Sequence, residues 1–174
     1  TTYEDYIELY NPTDETISLG ELCLSDNPRH CDLAPLPDKT IEPHGFLCIY
    51  AVGPEGGSPE GQPSVPLSVS EGETITLAWK HQSESGITTS LLVDSVTLPS
   101  SIRPGAVYAR TGDGGPEFDQ LRPTPGSSNQ DASSVPEAPV IETASGFYEN
   151  EVAVTITAKK GMTIRYTLDG SDPT

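Results

Sequence analysis

Apolar and polar residues alternate most clearly around the only tryptophan of the chain, in residues 72–79. The apolar positions are Ile75, Leu77 and Trp79, and small or polar residues lie between them. This two-residue period predicts a β-strand with one buried face. Because a tryptophan brings a large apolar area that a second layer of protein must cover, we expect the strand to lie inside a β-sandwich or β-barrel.

Short apolar or alternating runs, separated by turn residues, continue along the first 130 residues. They predict strands at residues 5–11, 17–24, 31–36, 46–50, 67–70, 91–98 and 106–110. A bulge is expected at Gly20, where the apolar phase shifts, and exposed loops are expected at residues 53–66 and 81–89. No stretch keeps the 3.6-residue period of a helix for three turns, so the sequence predicts an all-β fold.

A polar, aperiodic stretch then separates the first 130 residues from the last 37. Residues 127–137 predict a linker, with a closing loop of the first domain as the alternative. Beyond it, strands are expected at residues 138–142, 151–157 and 162–168. The predicted organisation is a domain over residues 1–130, a linker over 131–137 and a partial β domain over 138–174.

Composition and charge restrict the classes of function. The chain has 174 residues, 17 prolines, 16 glycines and 34% hydrophobic residues, which suits one full core and one partial domain. It has no apolar run long enough to span a membrane and no signal peptide, and its start without methionine suggests a piece of something longer. The formal net charge of −17 disfavours nucleic-acid binding, since such binding depends on Lys and Arg, and it suits a secreted protein.

The three cysteines are candidates for a disulfide or a metal site. Cys23 and Cys31 flank a turn-rich segment, so a cross-strand disulfide between them is geometrically feasible in an oxidising compartment, leaving Cys48 over. A zinc site with His30 and His44 is disfavoured, because no CxxC pair is present.

Catalytic motifs are absent from the sequence. It has no Gly-x-Ser-x-Gly, no His-Glu-x-x-His and no glycine-rich loop leading into a helix. His30, His44 and His81 lie in predicted turns, where a histidine is usually solvated. We therefore expect no enzymatic activity, no catalytic residue and no bound organic cofactor.

Calcium and carbohydrate are the two ligands for which the residues offer candidates. Calcium prefers oxygen ligands, and acids gather in two glycine-containing turns; the candidates are Asp113, Glu117, Asp119, Asp169 and Asp172. Asp-Gly also favours tight turns without any metal. Tyr6 and Tyr10 share a strand face and could stack on a sugar, although packing under another strand is the favoured interpretation.

Five segments resemble, in order, the lamin-tail domain over about residues 3–130. They are Asp5-Tyr-Ile-Glu-Leu-Tyr-Asn-Pro12, Leu22-Cys-Leu-Ser-Asp26, Ile41-Glu-Pro-His-Gly-Phe-Leu47, Tyr108-Ala-Arg110 with Asp113-Gly114, and Thr124-Pro-Gly126 with Asn129. The resemblance implies an immunoglobulin-like β-sandwich, found in bacteria as a module of secreted or surface proteins. Two departures are the lack of a further strand before residue 5 and Phe118, where the family commonly has tryptophan.

The end of the chain, Tyr166-Thr-Leu-Asp-Gly-Ser-Asp-Pro-Thr174, resembles the signature of the chitobiase/β-hexosaminidase C-terminal-type domain. This resemblance over about residues 138–174 implies part of a second immunoglobulin-like module. Together the resemblances imply a non-catalytic spacer or adhesion module of a larger extracellular or cell-surface bacterial protein, contacting other domains, proteins or glycans. The alternatives are a carbohydrate-binding accessory module and, against the charge, a nucleic-acid-associated one; uncovered strand faces after residue 138 also suggest a homodimer.

Calcium binding is directly testable. Since the acids are explained by turn chemistry, we expect chelator-stripped protein to release no heat in calorimetry and to show no thermal shift in millimolar calcium. A saturable calcium-dependent rise in the melting temperature would contradict this expectation.

Overall fold

The fold is all-β and immunoglobulin-like. The computed structural model describes residues 5–27, 29–30, 33–53, 61–86 and 88–173, and no helix occurs among them. No helix suited to crossing a membrane therefore occurs in that part of the chain. The chain divides into two compact units, residues 1–134 and 135–174, and this division falls within the polar stretch 127–137.

The described residues of the first unit form eleven strands. They are β1 Asp5–Tyr10, β2 Ile17–Ser18, β3 Leu22–Ser25, β4 Ala34–Pro35, β5 Thr40–Ile41, β6 Phe46–Ala51, β7 Ser64–Val65, β8 Thr74–Gln82, β9 Thr88–Thr97, β10 Val107–Arg110 and β11 Phe118–Leu121. One sheet has the order β1-β6-β7 and the other has the order β4-β3-β8-β9. Two short pairs, β2-β5 and β10-β11, complete the unit.

The core lies between the two larger sheets. Alternate residues of their strands point inward, so β6 contributes Ile49, β3 contributes Leu24 and β8 contributes Ile75, each no more than 5% exposed. Ile7 and Leu9 of β1 pack against this cluster from the side. Such facing apolar layers define a β-sandwich, as the alternating pattern of the sequence predicted.

A buried asparagine fixes the end of β1. The Asn11 side chain donates from Nδ2 to the carbonyl oxygens of Glu15, Ile41 and Glu42 at 2.7, 3.0 and 3.1 Å. Its Oδ1 accepts hydrogen bonds from the backbone N–H and the hydroxyl of Thr13. Because burial of an amide is costly unless its hydrogen bonds are made, this network holds the turn after β1 against the β5–β6 connection.

β8 lies within the sandwich as expected, but the expectation of a single buried face is wrong, and Trp79 is only partly covered. Its ring is half-buried, stacks on His81 with centroids 5.0 Å apart, and donates Nε1–H to Glu21 at 2.8 Å. By contrast Thr76 and Ala78, on the side predicted to be less buried, are 2% and 0% exposed. β8 is therefore covered on both faces, and the amphipathic tryptophan lies at the sandwich margin, where its N–H finds a partner.

Several predicted boundaries also differ from the structure. Gly20 lies in a turn between β2 and β3, which belong to different sheets, so it makes no bulge. The bulge lies instead where β8 and β9 shift register next to Leu77. The loop expected at 81–89 is shorter, since β8 and β9 extend into it, and β11 was not predicted at all.

The second unit is only partly organised as a sheet. Its strands are β12 Val140–Ile141 and β13 Ile156–Thr157, which form one antiparallel pair. The strand expected at 162–168 does not form, because a strand needs a neighbour for its backbone hydrogen bonds and none of the described residues supplies one.

The inter-sheet core predicts a large loss of stability for Ile49→Ala. Ile49 is fully buried, so its truncation should lower the free energy of unfolding by about 2–5 kcal/mol. Urea unfolding followed by fluorescence of Trp79 measures this for the first unit alone. The matched control, Leu91→Ala on the 65% exposed Leu91 of β9, should cost about 0.5 kcal/mol or less.

Candidate interaction site

The outward face of β1 forms aromatic pairs with β6. Tyr6 lies opposite Tyr50 with ring centroids 6.4 Å apart, and Tyr10 lies opposite Phe46 with centroids 4.9 Å apart. All four side chains are half-buried. Cross-strand aromatic pairs of this kind stabilise a sheet. Packing of the two tyrosines under another strand stays a prediction. Direct contact of Tyr6 or Tyr10 with a ligand stays a prediction.

The segment after β10 lies over this aromatic face. Gly126 donates its backbone N–H to Glu8 Oε1 at 2.6 Å. Gly114 lies so close to Tyr10 that a Cβ placed on it would be 3.5 Å from the Tyr10 ring, and its φ of 70° is one that glycine adopts without strain. The aromatic face is therefore partly covered by backbone.

Burial on this face perturbs two titratable groups. Desolvation, assisted by the nearby Cys48, Glu8 and Tyr50, raises the pKa of Tyr6 to about 12. Desolvation together with a hydrogen bond from Sγ to Glu8 at 3.2 Å raises the pKa of the Cys48 thiol to about 11. A thiol with such a pKa is protonated at neutral pH and is a poor nucleophile.

The candidate disulfide lies partly outside the described residues. Cys23 is buried in β3 opposite Ala78, whereas Cys31 is not among the residues that the structure describes. The Cys23–Cys31 bridge therefore stays a prediction.

Three of the five calcium candidates accept hydrogen bonds through their carboxylates, two of them from residues far along the chain. Asp113 Oδ1 accepts the N–H of Asn129 at 2.8 Å, and Asp119 Oδ2 accepts the hydroxyl of Ser134 at 2.6 Å. Hydrogen bonds from Ser171 lower the pKa of Asp169. The backbone carbonyl of Glu117 accepts the N–H of Thr111. Asp172 is exposed.

These carboxylates do not converge on a common point. In the described part of the chain, no three His, Cys, Asp or Glu side chains are placed to hold a metal ion. That part of the chain therefore has no preformed calcium ligand set, and the expectation that calcium does not bind stays a prediction.

His44 makes contacts that its position in a turn did not predict. Its Nε2 lies 3.0 Å from Asp14 Oδ1, and its Nδ1 lies 3.3 Å from the hydroxyl of Tyr10. The φ of 54° at His44 turns the ring towards both. The His44 and Asp14 side chains are 56% and 97% exposed, so the pair contributes little to stability.

A large cavity of the first unit follows the edges of two strands. It is a cleft of about 1570 Å³, called here the edge cleft, and every residue of β1 and of β10 lines it. Successive residues of a strand point to opposite faces, so a space that touches all of them runs along the strand edge. Its volume exceeds the roughly 300–1,000 Å³ of small-molecule pockets.

The hydrogen-bonding pattern shows which backbone groups face the edge cleft. The backbone N–H of Asn11 donates to the carbonyl oxygen of Gly45. In an antiparallel ladder, hydrogen-bonded residue pairs alternate with pairs that are not hydrogen-bonded. The backbone groups of Ile7 and Leu9 are therefore bonded to β6. The N–H and C=O groups of Tyr6, Glu8 and Tyr10 point to the other edge, where no described strand pairs with β1.

Strand β10 also has one edge that bonds to no described strand. The backbone N–H of Thr111 donates to the carbonyl oxygen of Glu117. Because every second pair along the ladder is hydrogen-bonded, the backbone groups of Ala109 and Val107 are bonded to β11. The backbone groups of Tyr108 and Arg110 point away from β11, and β10 pairs with no other described strand. Two strand edges without a described neighbour therefore border one cleft.

The edge cleft is apolar on its inner side and acidic around its margin. The inner lining is shared with the core and consists of Ile7, Leu9, Leu24, Val69, Ile75, Leu77 and Val96. Five carboxylates line the cleft, those of Asp5, Glu8, Glu71, Asp94 and Asp113. The only basic side chain among the lining residues is Arg110, whose Nη2 donates to both carboxylate oxygens of Asp94 at 2.7 and 2.9 Å. Five acids and one base leave four net negative charges.

The second unit exposes apolar side chains. Val154, Tyr166 and Leu168 are 58%, 69% and 94% exposed. A shallow depression of about 330 Å³ lies beside β12. The expected homodimer through this unit stays a prediction.

The end of the chain matches a known family. Residues 143–174 match the family model described as chitobiase/beta-hexosaminidase C-terminal domain. This is an accessory domain of a glycosidase and not its catalytic domain. Comparisons with curated proteins and with solved structures gave no match to the chain.

The raised pKa values predict a loss of stability in alkali. Tyr6 and Cys48 hold their protons more tightly in the folded state, with pKa values raised from 10.0 and 9.0 to about 12 and about 11. Their contribution to the free energy of unfolding is complete below about pH 9 and is lost as the pH rises through their pKa values in the folded state. We expect the free energy of unfolding, followed by Trp79 fluorescence, to fall between about pH 9 and 12.

A Tyr6→Phe variant separates this effect from general alkaline denaturation. The free energy of unfolding of this variant should fall less steeply above about pH 10, because the variant lacks one of the two groups that lose a proton there. Tyr166→Phe, in the second unit, should reproduce the wild-type slope. Equal slopes for all three proteins would contradict the assignment.

Proposed function

We propose that this chain is a non-catalytic interaction module of a larger extracellular or cell-surface protein. In this proposal residues 3–130 form a lamin-tail-like sandwich that adheres to protein and spaces its neighbours, and the second unit is part of an accessory domain. The single observation that supports adhesion most directly is the edge cleft, where two strand edges without a described neighbour flank core residues. Such edges favour pairing with another chain.

The match at residues 143–174 supports the extracellular, accessory part of the proposal. Domains attached to glycosidases work next to a catalytic domain, and the module would then hold its parent protein at a surface. The net charge of −17 keeps such a module soluble and repels nucleic acid.

A carbohydrate-binding accessory role is the second candidate. The family named in the match is an accessory domain of a glycosidase. In addition, four aromatic rings lie on one face, those of Tyr6, Tyr10, Phe46 and Tyr50. These rings pair with one another and are partly covered by the backbone at Gly114 and Gly126. This arrangement favours packing within the protein over stacking on a sugar. Protein contact is therefore the preferred function.

Adhesion assays distinguish the two candidates. Beads coated with the full chain are applied to immobilised bacterial cell envelopes that are untreated, protease-treated or periodate-oxidised. We expect retention on the untreated and oxidised envelopes and its loss after protease, because protein supplies the contact. Beads coated with denatured chain are the control.

Two outcomes would contradict the proposal. Loss of retention after periodate alone would assign the binding to carbohydrate. Absence of retention on every envelope would leave the chain without adhesive function.

A further inference from the structure

The last residues of the first unit fold back on β11. Residues 122–133, called here the folded-back loop, leave this strand and return to it, since Leu121 and Ser134 form a backbone bridge. The Arg122 N–H donates to the carbonyl oxygen of Ser133 at 2.9 Å and closes the same point. The two ends of the loop are therefore neighbours, and the length of twelve residues is stored between them.

Carboxylates from three other parts of the first unit hold this loop. Glu8 of β1 accepts the N–H of Gly126 at 2.6 Å, and Asp113 of the β10–β11 turn accepts the N–H of Asn129 at 2.8 Å. Asp119 of β11 accepts a hydroxyl hydrogen bond at the closing point at 2.6 Å. Hydrogen bonds to a carboxylate are stronger than those between neutral groups, so a few of them hold a polar loop in place.

Burial contributes little to this attachment. Leu121, just before the loop, is 2% exposed, whereas every residue of the loop itself is exposed or half-buried. A segment that buries little apolar surface and is held by solvent-accessible hydrogen bonds opens at a lower free energy than the core. The loop can therefore open while the sheets of the first unit stay folded.

We propose that the folded-back loop is a reserve of linker, which opens while the sandwich stays folded and so lengthens the connection to the second unit. The inference rests on the spacer role proposed above and adds a variable length to it. The twelve residues reach up to about 40 Å when extended, at roughly 3.3–3.6 Å per residue. Neighbouring parts of the parent protein then separate without any loss of core packing.

Native-state hydrogen exchange of the full chain, followed by NMR, tests the opening. The amides of Gly126 and Asn129 report on the loop, and those of the buried Leu19 and Leu36, which donate to backbone carbonyls, report on the core. We expect the loop amides to exchange at least about tenfold faster than the core amides. The loop rates should stay constant in low urea, because local opening exposes little surface, whereas the core rates should rise.

Substitution of Glu8 tests the carboxylate attachment. Glu8→Ala removes the acceptor of the Gly126 N–H and should speed exchange of that amide roughly tenfold or more, because a hydrogen bond to a charged group is lost. Exchange at Asn129 should rise with it, since the loop opens as one unit. Glu8→Gln keeps an oxygen acceptor and should restore part of the protection. The matched control Glu15→Ala, at an exposed acid of the β1–β2 turn, should leave both rates unchanged.

Small-angle X-ray scattering tests the gain in length. The double variant Glu8→Ala/Asp113→Ala should have a larger radius of gyration than the wild type, while exchange at Leu19 and Leu36 stays unchanged because the core remains folded. The control Glu15→Ala/Asp38→Ala removes the same charge from exposed acids outside the loop and should keep the wild-type radius.

Three results would overturn the inference. They are exchange of Gly126 and Asn129 only as fast as that of the core amides, unchanged loop exchange in Glu8→Ala, and a wild-type radius of gyration in the double variant. Protease-sensitive adhesion to envelopes by a chain whose loop opens only with the core would preserve the proposed function and reject the reserve. A loop that opens locally in a chain without adhesion would reject the adhesive role and preserve the reserve.

Discussion

The one-sided hydrogen bonding of β1 is the constraint on which the rest of the first unit depends. β6 holds the strand along one edge, and the buried amide of Asn11 fixes the turn that follows it. This attachment places Ile7 and Leu9 against the core and Tyr6 and Tyr10 on the other face. It also leaves the second edge of β1 towards the edge cleft, so the same strand serves the core, the aromatic face and the candidate site.

Charge and burial act together at this strand. Acids gather around the margin of the cleft, where water screens them, and Arg110 pairs with Asp94 next to the bulge in β9. Glu8 lies closer to the aromatic face, where it accepts hydrogen bonds from Gly126 and from the Cys48 thiol.

Strands with a clear two-residue period were predicted well. β1, β6, β8 and β10 all occur where alternation or a short apolar run indicated them, because burial of one sheet face imposes that period directly. β11 was missed, since a four-residue strand with two polar central residues has little period to detect. The strand expected at 162–168 does not form, because alternation indicates a face to bury but provides no neighbouring strand.

The sequence by itself determined the all-β class, most strands of the first unit, the net negative charge and the similarity of the last 32 residues to an accessory domain family. Those properties depend on composition and on near neighbours along the chain. Tertiary structure decided that Trp79 lies at the margin, that the candidate calcium ligands stay apart, and that β1 and β10 border one cleft. Such placements depend on which distant strands become neighbours, and backbone pairing between residues far apart leaves no local pattern in the sequence.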